Sequence, residues 1–216
     1  KNTNNLISNG DAEEDLNGWE ILTDGVGTIT IDNINKYQGS KSFKISSNKL
    51  SNQTPNLFQR VNLKSNTTYT ISAWVKGNIT EQNNGGLYFS AKYRYGEGDS
   101  NKQSSEPKKI SKDWQRYSFT FSLPENPANI DLAIGVTNAK GTISIDNIQL
   151  EESSVMNSYN LVKNSDFNND LSYWKRLQVT DSNDKVVDDN GNKVVMINGV
   201  TDNTKAFQQE IKVSGK

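Results

Sequence analysis

The sequence of 216 residues contains no cysteine and no histidine. Without cysteine there is no disulfide, no thiol nucleophile and no thiolate metal site. Without histidine the usual general base and the commonest transition-metal ligand are missing. Most hydrolase and metalloenzyme mechanisms are thereby excluded. Long apolar runs are also absent: the stretches reach only a few residues, far short of the ~20 that cross a bilayer. No signal peptide opens the chain, so any export signal is expected to have been removed or to lie outside it. Neither sign of charge dominates, since 24 Lys and Arg stand against 25 Asp and Glu and are mixed along the chain. That balance leaves no electrostatic case for nucleic acid or an anionic membrane as partner. The composition is very polar, yet four Trp, eight Tyr and seven Phe are enough to supply a core.

What is present is a phrase written twice. Asn5-Leu6-Ile7-Ser8-Asn9-Gly10-Asp11, closed by Leu16-Asn17-Gly18-Trp19, returns as Asn160-Leu161-Val162-Lys163-Asn164-Ser165-Asp166-Phe167, closed by Leu171-Ser172-Tyr173-Trp174. An interval of about 155 residues is a domain length rather than a solenoid period. Leu57 to Leu63 similarly has a counterpart in Phe207 to Val213. The expected organisation is a complete module over 1–152, a short stiff joint over 153–159, and the opening part of a second, truncated module over 160–216. Unpaired strand edges in such a part are expected to lie against the first module or to exchange strands with a neighbouring molecule.

Strand patterns dominate: Thr28 to Ile31, Ser42 to Ile45, Tyr69 to Val75, Leu87 to Tyr95, Trp114 to Leu123, Asp131 to Thr137 and Thr142 to Leu150. Each alternates or is β-rich between Gly, Asn, Pro or Ser turns, and no segment holds a helical apolar stripe. Short strands at this spacing predict an all-β jelly-roll β-sandwich. Val186-Val187 and Val194-Val195 flank Asp189-Asn190-Gly191, which predicts a hairpin turning at Asn-Gly. The polar stretch from Gly96 to Lys109 reads as a long exposed loop.

Several of these phrases together resemble a known family. They are Asn9-Gly10-Asp11-Ala12-Glu13 with Gly18-Trp19, Gly39-Ser40-Lys41-Ser42, Tyr69 to Lys76, Trp114-Gln115-Arg116-Tyr117, and Ile143 to Glu151. In this order they resemble the carbohydrate-binding module superfamily that groups families four, nine, sixteen and twenty-two. The resemblance spans residues 5 to 152 and implies a galactose-binding-like sandwich. Ala12 departs from it, standing where the family usually carries Phe, whereas the second copy has Phe167. The passage from Asp146 through Tyr159 into the repeated phrase is also similar to tandem modules of bacterial wall-associated proteins with Rhs or YD repeats. A multidomain glycoside hydrolase is an equal candidate for the parent.

The resemblance implies a structural calcium, with the carboxylates of Glu13 and Asp146, the Asp146 carbonyl and backbone carbonyls near Asp11 and Lys41 as ligands. Oxygen donors of this kind suit a hard cation. Asn168 replaces the corresponding Glu in the second copy, so no matching site is expected there. Sugar binding needs aromatic faces and planar polar groups. Strand alternation sets Trp74 opposite the core set Tyr69, Ile71, Ala73 and Val75, and sets Tyr88 and Arg94 opposite Leu87, Phe89 and Ala91. Trp74, Tyr88 and Arg94 are therefore expected to form a sugar-facing patch. Tyr93, with Tyr95, approaches the long loop as a further candidate. Trp19 and Trp114 belong to the framework phrases and read as packing residues, although Trp19 stands near the module edge, within reach of a ligand. No carboxylate pair can be nominated for glycosidase chemistry. The expected function is a noncatalytic polysaccharide- or glycan-binding module of a larger secreted or cell-surface protein. The competing expectation is a spacer or protein-contact module that keeps the fold without a sugar site.

Overall fold

The computed structural model describes residues 4–95, 98, 100–178, 182–199 and 204–211, and among these there is no helix. The strands are β1 (Glu20–Leu22), β2 (Gly27–Asp32), β3 (Ser42–Ser47), β4 (Asn56–Val61), β5 (Thr68–Tyr95), β6 (Ser100–Ser104), β7 (Gln115–Ser122), β8 (Pro127–Glu151), β9 (Lys175–Leu177), β10 (Lys185–Asp189), β11 (Asn192–Met196) and β12 (Ala206–Gln208). The first eight form a jelly-roll β-sandwich. One layer, A, has the order β1-β4-β8-β5-β6, and the other, B, has the order β2-β3-β8-β5-β7.

β5 and β8 belong to both layers. Residues 86–95 of β5 pair with 127–137 of β8 in layer A, and 70–79 pair with 141–151 in layer B. The sequence pattern separates each into two strands. The link is continuous because the polar stretch 76–86 keeps extended pairing through register shifts at Ile79/Glu81 and Gln82/Gly86. Gly141 has φ 138° at this crossing, and a Cβ there would stand 2.2 Å from the Asn78 carbonyl oxygen, so only glycine fits. The presumed loop 96–109 also contains a strand, β6. It is an edge strand of polar residues with no apolar alternation to reveal it.

Phe43, Ile45, Leu57, Tyr69, Ile71, Leu87, Phe89, Leu132, Ile134, Ile143 and Ile145 lie between the layers in one core cluster. Asn5 and Leu6 tie the N-terminal strap, residues 5–19, to the end of β8: Leu6 N donates to the Leu150 carbonyl at 2.8 Å and Asn5 Nδ2 to that of Ile148 at 2.9 Å.

Beyond β8, Gln149 and Glu151 are fully buried and hold the connection. Asn157 donates through N and Nδ2 to Glu151 at 2.7 and 2.9 Å, and Asn160 N donates to Gln149 Oε1 at 2.9 Å. Residues 160–174 then repeat the hydrogen bonds of 5–19. Asn9 Nδ2 donates to the carbonyls of Asp15 and Asn17, as Asn164 Nδ2 does to those of Asp170 and Ser172. Trp19 Nε1 donates to the Asn9 carbonyl and Trp174 Nε1 to that of Asn164, both at 3.0 Å. Gln59 brackets Ser8 N and O, and Gln209 brackets Lys163 N and O. The antiparallel pair β9/β12 stands where β1/β4 stands in the first copy. β10 and β11 form the expected hairpin, with positive φ at both Asn190 and Gly191. This second part lies against the first: Lys163 pairs with Asp11 at 3.2 Å, and the Tyr173 hydroxyl donates to Glu14 at 2.7 Å.

Candidate ligand-binding faces

The outer face of layer B carries an aromatic cluster. Trp74 points away from the core and is half-buried. Tyr37, from the β2–β3 connection, stacks on it at 3.9 Å and 11°, and Trp114 meets Tyr37 edge-on at 5.9 Å. Lys76 Nζ lies 5.5 Å from the Trp114 ring centroid. Tyr37 remains 37% exposed, so the cluster keeps an open aromatic surface with a cation at its rim. Beside it Arg116 Nη2 donates to Ser72 Oγ at 3.0 Å, while its Nε is buried without a partner. Tyr37 escapes sequence reasoning because it lies in an irregular connection with no strand period.

Tyr88 and Arg94 do not share a face with Trp74. β5 has crossed into layer A by residue 86, so side chains that point outward on its two halves point to opposite sides of the sandwich. Tyr88 is moreover only 2% exposed, with its hydroxyl donating to the Gln53 carbonyl at 2.5 Å. Burial pushes its pKa well above the ordinary tyrosine value. Tyr93 is buried in the core cluster and its hydroxyl accepts from Gln103, so its ring is not a ligand surface. Trp19 is likewise buried, edge-on to Phe43 at 5.5 Å. Of the layer A candidates, Arg94 and Tyr95 are exposed.

That face instead presents Arg60, Lys92, Arg94 and Lys102, all exposed, with Phe58 half-buried among them. Arg60 binds Asp131 through two nitrogens, at 2.6 and 2.9 Å. Lys102 donates to Gln53 Oε1. Burial and then the neighbouring Lys92 hold its pKa below the usual lysine range.

The four expected calcium ligands come to one corner, beside the loop 37–41. Asp146 is fully buried and accepts backbone N–H groups from Tyr37 at 2.8 Å, Gln38 at 3.0 Å and Asn147 at 2.7 Å. A bulge at Asn147 (φ 47°) places it there. Burial pushes its pKa up to about 7, against these hydrogen bonds. Glu13 accepts from Ser40 N at 2.7 Å and Lys41 N at 3.0 Å. Burial raises its pKa, but the Ser40 hydroxyl and the two amides outweigh that and leave it below the ordinary value. Asp11 is paired with Lys163. Among the described residues no three Asp or Glu side chains converge as a metal cluster, so a cation here needs backbone carbonyls to complete its shell. The all-oxygen donors and the uncompensated buried carboxylate of Asp146 fit such an ion. Two clefts at the junction of the two parts open beside this corner, one between Asn5, Asp11, Tyr159, Lys163 and Tyr173 and the other between Asp11, Glu13, Gln38, Lys163 and Gln209.

The family model described as Carbohydrate binding domain (CBM_4_9) matches residues 4–141, and the chain belongs to that family. Among curated proteins, the tRNA(Glu)-specific nuclease WapA of Bacillus subtilis subsp. natto (strain BEST195) is 29% identical over 193 residues, covering 79% of this chain and 8% of that protein. The tRNA nuclease WapA of Bacillus subtilis (strain 168) is 27% identical with the same coverage. The chain thus spans only about 8% of the length of these relatives. Among solved structures, a Family 16 Carbohydrate Binding Module-2 aligns with a TM-score of 0.53 at 25% identity, covering 68% of this chain and all of that one. The tandem CBM22-1-CBM22-2 domain of Paenibacillus barcinonensis Xyn10C aligns with a TM-score of 0.54 at 20% identity, over 90% of this chain and 61% of that one.

Proposed function

We propose that this chain is a noncatalytic glycan-binding region of a larger secreted or wall-associated protein, with the Tyr37–Trp74–Trp114 cluster as its sugar shelf. The observation that carries the reading is this stacked, partly open aromatic cluster on a carbohydrate-binding fold. Aromatic rings take the apolar face of a pyranose, and Lys76 at the rim offers donors to its hydroxyls. The sequence has no histidine or cysteine to support catalysis within this chain. Nuclease activity in the WapA relatives is a property of proteins of which this chain matches a small part. Residues 160–174 repeat the strap of the first module, a reading supported by the recurring hydrogen bonds of Asn164 and Trp174.

Isothermal titration of the chain across a panel of neutral oligosaccharides tests the shelf. Binding in the range of about mM to 10 μM is expected for a few stacked sugars. Trp74→Ala and Tyr37→Ala should each weaken it by about tenfold, a loss of ~1.4 kcal/mol. Silence from every glycan, or binding indifferent to both substitutions, favours the spacer reading.

We propose also that Glu13, Asp146 and carbonyls near Asp11 and Lys41 hold a structural calcium. The ion offsets the buried Asp146 charge and clamps the strap to β8 and the loop 37–41. Calcium is expected to raise the melting temperature over an EDTA-treated sample, and Asp146→Asn should abolish that rise. An identical melt with and without calcium counts against the site.

A further inference from the structure

The two parts meet through the strap positions at which the copies differ. With Asn164 set on Asn9 and Trp174 on Trp19, Lys163, Ser165 and Tyr173 stand where the first copy has Ser8, Gly10 and Gly18. Each of these three side chains contacts the first part. Lys163 Nζ lies 3.2 and 3.4 Å from the two Asp11 carboxylate oxygens, Ser165 Oγ donates to Asn4 Oδ1 at 2.6 Å, and the Tyr173 hydroxyl donates to Glu14 at 2.7 Å. The Lys163 ammonium also lies 5.2 Å from the Tyr173 ring centroid. The second strap itself needs no lysine here, since Gln209 brackets only the Lys163 backbone. Docking is thus written into the residues peculiar to the second copy. The same contacts reach the corner assigned above to calcium. Asp11, Glu13, Gln38, Asn147, Lys163 and Tyr173 line one cleft together. The Lys163 charge acts on the Glu13 carboxylate as well as on Asp11, and Asp11 in turn repels Asp146. Lys41, the other ammonium beside Glu13, is turned to Asp15 at 2.8 Å, and Lys175 also lines the cleft.

We infer that docking of the second part and cation binding at this corner oppose each other, with Lys163 as the residue that links them. The inference rests on the calcium reading given above. Docked, the Lys163 ammonium draws on the same carboxylate charge that a divalent ion needs, and it does so in a partly buried cleft where salt screens poorly. Docking therefore lowers the affinity of the corner for the ion. By linkage, an ion at the corner loosens docking by the same factor. The joint is anchored separately, because Asn157 and Asn160 are held by Glu151 and Gln149. Loosening is thus a swing of the second part about an attached joint. The two parts stand as a stiff tandem where calcium is scarce and as a hinged pair where it is abundant.

The test is calorimetric titration of the whole chain with calcium chloride at fixed ionic strength, for the parent, Lys163→Met and Tyr173→Phe. Lys163→Met keeps an apolar stem without the charge and should bind calcium about fivefold more tightly or better. Tyr173→Phe loses only the contact with Glu14 and should shift affinity in the same direction by less. Zero-length carbodiimide cross-linking, mapped by mass spectrometry, reads docking itself. Calcium should lower the yield of the Asp11–Lys163 amide relative to that of Lys140–Glu81, a 2.6 Å pair at the β5–β8 crossing. Calcium bound by Lys163→Met and not by the parent also supports the inference, since the ammonium then stands in the ion's place. Calcium affinity equal to the parent's or weaker in Lys163→Met overturns the inference and leaves the calcium reading standing. So does an Asp11–Lys163 yield unchanged when the parent is saturated with calcium. Calcium binding by none of the three proteins overturns both.

Discussion

The straps 5–19 and 160–174 make the same hydrogen bonds in different surroundings. Asn9 and Asn164 share positive φ values of 49° and 48°, and Ala12 and Phe167 of 59° and 54°. Yet Trp19 and Ala12 are buried beneath the sandwich, whereas Trp174 and Phe167 pack on each other at 5.3 Å and stay half-buried. The local conformation is therefore the same in both, while burial depends on the strands that cover it.

The largest effect that separates the two copies should come from their tryptophans. Trp19→Ala is expected to destabilise the chain by about 3–5 kcal/mol. Trp174→Ala should cost only about 1–2 kcal/mol, because a half-buried side chain forfeits less transfer free energy. Urea unfolding measures both, and equal costs would mean that the second strap is buried as deeply as the first. The paired glutamines come next. Gln59→Ala leaves the Ser8 and Gly18 backbone groups without their buried partner, at about 1–3 kcal/mol. Gln209→Ala should cost less, since water can replace it. The smallest expected effect concerns Asp184, which the Lys205 ammonium at 2.7 Å and the Asn198 amide at 2.6 Å hold below its ordinary pKa. The depressed folded value means the unfolded chain takes up the proton first. Its contribution is therefore present above pH 3.8 and lost as pH falls through the folded value. Hydrogen exchange at the Asn198 amide should report that loss, and Asp184→Asn should remove the pH dependence.

The two faces of β5 show where legibility ended. Alternation in Tyr69–Val75 and Leu87–Ala91 correctly divides core from exterior. It carries nothing about the polar residues between them, which take the strand from one layer to the other. Trp74 and Tyr88 consequently read as neighbours and stand on opposite sides. β6 was hidden for a related reason, because an edge strand with solvent on its outer side needs no apolar period. Tyr37 owes its position to the Asp146 carboxylate, which accepts the Tyr37 and Gln38 amides from a residue more than a hundred positions away. No local pattern encodes such a contact.

The sequence by itself determined the all-β class, the carbohydrate-binding family, the recurrence of the strap and the inward side of each strand. The family follows from the resemblance of an ordered set of phrases, and the rest from side-chain period and from the repeated wording of the strap. Tertiary structure alone decided which aromatic rings are open, which cations reach across the junction and which candidates share a face. Those depend on how long strands bend between layers and on which distant loops settle over them.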